Sequence, residues 1–340
     1  MHAKSISRRA FLQGMGLCSA GLALGGLAAP AQAAGRVRNL HDESRLLMDT
    51  IVRITVARAS RDRAEQGMGM AFAAMERLIR VFDRHQGSTA ISVLNGQGSL
   101  ADAPAEFLAV LDAARAYNRL SGRAFDATVQ PVLDLFAGRA NPGGSLHVDR
   151  AELDAALALV GMEHVRMDGG RISLNRAGVG LTLDGIAKGY IVDQAAKALE
   201  SQGLRHYAIN AGGDVRVSGE KRPGVAWTVA VEDPAKTGAY PAVISMRGGA
   251  VATSGVYERY FDASRRHNHL LVPATGESPT DRLSVTVKAP TGMQADALAT
   301  ALSVMPQDDA LRLIDSLPDC ACLLVNTGGR IVASANWNTV

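Results

Sequence analysis

Lys188 stands at the start of a helix. Leu181-Thr182-Leu183 reads as a short apolar strand and Asp184-Gly185 as a break, after which Ile186, Ala187, Tyr190, Ile191 and Ala195 recur at helical spacing through Ala198. A helix N-terminus offers unpaired backbone N–H groups and the positive end of the macrodipole, a setting for an anion. A lysine there disfavours the helix unless something negative, such as a phosphate, lies between them. A plain βα junction with a solvated lysine is the alternative. Asp296 and Thr300 form a second pair, four residues apart and so on one helical face. Carboxylate and hydroxyl are hard oxygen donors that suit Mg²⁺ with phosphate and water oxygens, although surface pairing accounts for them as readily. In Asn210-Ala211-Gly212-Gly213-Asp214 the glycines allow close backbone approach to a ligand, or simply a tight turn.

Other chemistries find no support. His267 and His269 are two apart on an extended segment and so point to one side, and no third histidine completes a zinc site. Ser254 lacks a G-x-S-x-G elbow, and neither G-x-G-x-x-G nor a P-loop is present. Cys320 and Cys322 alternate onto one face of an expected strand and read as buried structural thiols.

The elements that must position these residues are mixed. A strand is expected over Met48–Val56 and amphipathic helices over Arg63–Phe82 and Pro104–Leu120, with a polar irregular segment at Asp83–Asn95. Asp149 caps a further helix, and a hairpin turns at Asp168-Gly169-Gly170. From His206 onward strands dominate, among them His269–Val272 and Leu283–Lys288, and helical patterns return at Gln294–Val304 and Gln307–Ser316. Without regular βαβ alternation, the expected class is α+β, one compact unit of two lobes.

The 340 residues are 47% hydrophobic and 20% charged, as in a globular protein. Ser7-Arg8-Arg9-Ala10-Phe11-Leu12, the apolar run to Ala29 and Ala31-Gln32-Ala33 form a twin-arginine export signal, so residues 1–33 are expected to be cleaved and 34–340 to act in the periplasm. The apolar run is too short for a stable membrane span. Cleavage removes Lys4, Arg8 and Arg9 from 36 basic residues, leaving 33 against 33 acidic ones. No general footprint for nucleic acid remains.

Blocks along the whole mature chain together resemble the ApbE family, the FAD:protein FMN transferases. They run Met48-Asp49-Thr50, Phe82-Asp83 through Ile91-Ser92-Val93-Leu94-Asn95, Gly122-x-Ala124-Phe125-Asp126, Gly185-Ile186-Ala187-Lys188-Gly189-Tyr190 with Asp193, and Asn210 through Asp214. Ala252-Thr253-Ser254-Gly255, His269-Leu270-Leu271 with Pro273-x-Thr275-Gly276, and Ala295 through Thr300 complete the order. The resemblance implies a Mg²⁺-dependent enzyme that cleaves the FAD diphosphate, attaches FMN to a Thr or Ser hydroxyl of a partner flavoprotein and releases AMP. Asp296, Thr300 and the Gly185 carbonyl match the metal positions. Lys188, Met48, His85 and Ala124, Phe125 and Asp126 match cofactor contacts, with Thr182, Asp214 and Ser254 beside them, and His269 matches a candidate base. An FAD pyrophosphatase and a non-catalytic FAD carrier are the rival readings. Thr182-Leu183-Asp184-Gly185 departs from the family's Asp-Leu-Gly-Gly, His85 from an aromatic and Val272 from an aspartate. The wording around Leu181–Ala187 is similar to the NosX branch, which implies a NosR-like or other electron-transport acceptor.

Overall fold

The computed structural model describes residues 6–7 and 40–337; the export signal read at 1–33 lies outside them except for Ile6 and Ser7. Eight strands form one sheet: β1 (Leu40–Leu47), β2 (Thr50–Ala57), β3 (Tyr207–Ala211), β4 (Asp214–Ser218), β5 (Gly248–Gly255), β6 (Arg282–Ala289), β7 (Ala321–Asn326) and β8 (Ile331–Ala333). Spatial order follows chain order from one edge to the other, and every neighbouring pair is antiparallel. Helices enter as insertions into this meander, so the class is α+β.

Between β2 and β3 lie α1 (Arg61–Phe82), α2 (Ala90–Gln97), α3 (Ala105–Leu120), α4 (Gln130–Gly138), α5 (Arg150–Leu157) and α6 (Ala187–Ser201). Between β6 and β7 lie α7 (Gly292–Val304) and α8 (Gln307–Asp315). Alternation in β2 sends Val52, Ile54 and Val56 into the core against Phe72, Met75 and Leu78 of α1 and Ile191 and Ala195 of α6. Each such side chain contributes about 1.5–3 kcal/mol of burial. On the opposite face the hairpin Trp227–Ala230 and Val243–Met246 covers Val217, Val251 and Leu323. A smaller apolar cluster, Val132, Phe136, Phe261 and Leu271, joins α4 to the loop after β5. Among the described residues no helix is long and apolar enough to cross a membrane.

The structure departs from the expected elements in four places. Leu181–Leu183 belongs to no strand. The Asn95 side chain takes the place of a neighbouring strand, with Oδ1 accepting from Leu181 N and Nδ2 donating to Leu181 O, both at 2.8 Å. The polar segment after Asp83 holds α2, whose Thr89 cap accepts from Ser92 N. Met48 and Asp49 are the two turn residues of the β1–β2 hairpin rather than strand, both at positive φ (53° and 56°). His269–Val272 is irregular, because its backbone is tied locally to Arg259 and Glu277 and not to a ladder.

Candidate active site

Helices α6 and α7 pack against each other at their first turns. A Cβ at Gly189 would lie 2.2 Å from Gly292 O, and one at Gly292 would lie 2.6 Å from Gly189 O, so two glycines let the backbones touch. Each helix caps the other. Asp193 of α6 accepts from Gly292 N (2.8 Å) and Met293 N (2.9 Å), while Asp296 Oδ2 of α7 accepts from Gly189 N at 2.9 Å. The α6 N-terminus expected to hold an external anion therefore already has one donor engaged by a carboxylate.

Asp296 is buried, 5% exposed, which removes the surface-pairing alternative. Burial, then the nearby Asp214 carboxylate, pushes its pKa well above the usual carboxylate range. One turn on, Thr300 Oγ1 stands 3.4 Å from Gly185 O and 3.4 Å from Ser254 Oγ. A Cβ on Gly185 would fall 2.6 Å from Thr300 Oγ1, so only glycine lets the hydroxyl and the carbonyl share this space. Asp296, Thr300 and the Gly185 carbonyl thus present three hard oxygens, a set that fits Mg²⁺. Among the described residues no cluster of three His, Cys, Asp or Glu side chains is arranged for a metal, so softer-ligand metals have no such site.

Lys188 Nζ lies 3.5 Å from Asp214 Oδ2, and the Asp214 carboxylate holds its ammonium charged beyond the usual lysine range. Asp214 Oδ2 is buried with no hydrogen bond among the described residues. Burial raises the Asp214 pKa against the pull of Lys188. His269 Nδ1 is 3.4 Å from Arg259 O, a contact that favours the tautomer leaving Nε2 as the acceptor. Desolvation lowers the His269 pKa, which keeps the ring neutral. Asp126, also buried, receives Asn118 Nδ2 at 3.0 Å and Thr128 N at 2.8 Å, and burial raises its pKa.

These residues surround one cleft of about 330 Å³ between the sheet end and the α4 cluster, lined by Ala124, Phe125, Asp126, Thr182, Gly185, Lys188, Ser254, His269, Asp296 and Thr300. Three expected residues stand apart from its wall. Asp214 backs Lys188, Met48 sits in the β1–β2 turn packed on the main core, and His85 is exposed beside Arg84. His267 turns away from His269, with Nδ1 2.8 Å from Asp262 Oδ2 and its ring against Phe136. A separate groove of about 640 Å³ lies along the outer sheet face and shares Gly212, Thr253 and Glu258 with the cleft.

The model of the ApbE family matches residues 48–324. The chain belongs to the ApbE family. It is 33% identical over 240 residues to the FAD:protein FMN transferase of Haemophilus influenzae, a match covering 68% of this chain and 69% of that one. With the enzyme of the same name from Treponema pallidum it shares 29% over 328 residues, 88% of each chain. The solved ApbE protein of Thermotoga maritima superposes with a TM-score of 0.77 at 32% identity, covering 87% of this chain and 97% of that structure; the flavin transferase ApbE of Vibrio cholerae gives 0.75 at 27%, covering 87% and 98%. In this ApbE chain Arg84, Asp134, Asp184, Glu258 and Arg259 also line the cleft. Arg84 Nε pairs with Asp184 Oδ2 at 2.8 Å, so the Asp184 carboxylate has a partner of its own. Thr182 instead accepts from Asp184 N at 3.3 Å and shapes the turn. Sequence reading missed Arg84, although it directly precedes His85, because nothing local marks where an arginine points.

Proposed function

We propose that this chain transfers FMN from FAD to a Ser or Thr hydroxyl of a partner protein and releases AMP. The observation carrying this reading is the convergence of a charged lysine, a neutral histidine and a three-oxygen donor set on one cleft of an ApbE-family fold. Names of relatives as FAD:protein FMN transferases support it. In the reaction the acceptor oxygen bonds to the FMN phosphorus, the P–O bond to AMP breaks, and the hydroxyl proton leaves. His269, held neutral, takes that proton at Nε2. Lys188 steadies the diphosphate charge, and Asp214 keeps Lys188 protonated and oriented. Asp296, Thr300 and the Gly185 carbonyl would hold Mg²⁺, which when bound neutralises diphosphate charge. The twin-arginine pattern supports a periplasmic acceptor, and the Leu181–Ala187 wording a NosX-like role with an electron-transport partner.

The test incubates the protein with FAD, Mg²⁺ and an acceptor carrying an Asp-x-x-Ser/Thr-Gly-Ala-Ser/Thr segment, and follows acceptor mass and AMP. Added FMN mass together with AMP supports transfer. AMP without added mass makes the chain an FAD pyrophosphatase, with water in place of the hydroxyl, and neither product makes it a carrier.

A further inference from the structure

Arg259, Arg265 and Arg266 lie within eight residues of one another, are exposed, and form no ion pair among the described residues. Unpaired exposed arginines such as Arg80, Arg119, Arg171 and Arg205 also occur elsewhere, but these three are gathered on one loop, whereas Arg61, Arg77, Arg139, Arg150 and Arg312 each have a carboxylate partner. The unpaired trio rides on a fixed loop. Buried Asp262 accepts from Ser264 Oγ (2.7 Å), Arg266 N (3.1 Å) and His267 Nδ1 (2.8 Å). Asn141 N donates to Phe261 O and Ala263 N to Gly144 O, each at 2.9 Å. Two of the guanidinium groups are supported by rings, Arg259 at 5.3 Å from the Phe261 centroid and Arg265 at 5.6 Å from that of Tyr260. A partner therefore meets cations whose ordering is largely complete before contact.

Position gives this charge a purpose. Arg259 lines the cleft, and its carbonyl accepts from His269 N at 3.2 Å, so the loop borders the base that receives the acceptor proton. We infer that the 259–266 loop is the docking surface for the acceptor protein and fits an acidic segment flanking the modified hydroxyl. This rests on the transferase reading. Complementary charge at the entrance acts chiefly on encounter, so it sets acceptor KM and salt dependence rather than FAD binding.

Two synthetic peptides test it, sharing one Asp-x-x-Thr-Gly-Ala-Thr segment and flanked either by glutamates or by lysines. The wild-type protein is expected to use the glutamate-flanked peptide with about tenfold higher kcat/KM at low salt, a gap that narrows as NaCl screens it. The double variant Arg265→Glu/Arg266→Glu, whose replaced side chains make no hydrogen bond among the described residues, is expected to reverse the preference while binding FAD as tightly as wild type. Equal use of both peptides by wild type, or an unchanged preference in the double variant, overturns the proposal. Sedimentation with phosphatidylserine vesicles that the variant loses, alongside equal use of the peptides, assigns the arginines to a lipid surface and also overturns it. Failure of the wild type to label either peptide defeats the transferase reading itself, and the surface with it.

Discussion

Asp296 carries two duties, capping α6 through Oδ2 and facing the cleft with the rest of its carboxylate. Asp296→Ala is expected to lower kcat by about 10³-fold, a loss of the size seen when one group stabilising transition-state charge is removed, and to abolish Mg²⁺ dependence. A variant that keeps both its rate and its Mg²⁺ titration would show the ligand set to be wrong. His269 sets a pH limit. Its pKa lies below the usual histidine value of about 6.5, and the neutral ring is the active form. The rate therefore rises with pH through a midpoint below that value and is flat above it. His269→Asn should lose the acidic limb, and a limb at or above pH 6.5 in wild type contradicts the assignment. Burial drives the Cys320 thiol up to about 11 and Cys322 to about 12. Both should react with iodoacetamide at pH 8 only after denaturation, and fast labelling of the native protein would show them to be accessible.

At the level of elements, the α6–α7 crossing fixes the site, because the two helices bring Lys188 and Asp296 to one point through glycine contact and reciprocal caps. Gly189→Ala forces backbone apart from backbone, where no side chain can yield. It is expected to cost about 3 kcal/mol, seen as a Tm lower by about 6–10 °C, together with lost activity. Gly69, inside α1, is the control: an added Cβ there would meet nothing within 4 Å, so Gly69→Ala should stabilise by about 0.5–1 kcal/mol. Calorimetry of the pair checks the claim, and a Gly189→Ala protein as stable as wild type refutes the close crossing.

On the scale of the whole molecule, the sheet begins at Leu40 and needs none of residues 1–33 for its eight strands. Among residues 1–33, the described residues Ile6 and Ser7 pair with Tyr240 and Ala239. A chain of residues 34–340 is expected to unfold within about 2 °C of the full protein, since a separate two-residue ladder adds less than about 1 kcal/mol. A larger loss, or a truncated chain that aggregates, would assign the N-terminus a part in the fold.

Local elements were legible in the chain: period-3.6 stripes placed α1 and α3 to within two residues, and glycine-rich turns marked the β3–β4 hairpin and the α6 start. It also held the family's blocks, because residue type and order survive in the linear chain. It misread Leu181–Leu183 as a strand because a side chain from Asn95, 86 positions away, supplies the ladder. It left Asp296 and Thr300 ambiguous because a helix buried on most of its surface shows no clean apolar stripe. Which of two nearby histidines faces the cleft, and which carboxylate is left without a hydrogen bond, depend on contacts between residues distant in the chain. Only the tertiary structure decided those, since burial and the direction of a side chain are properties of the assembled neighbours.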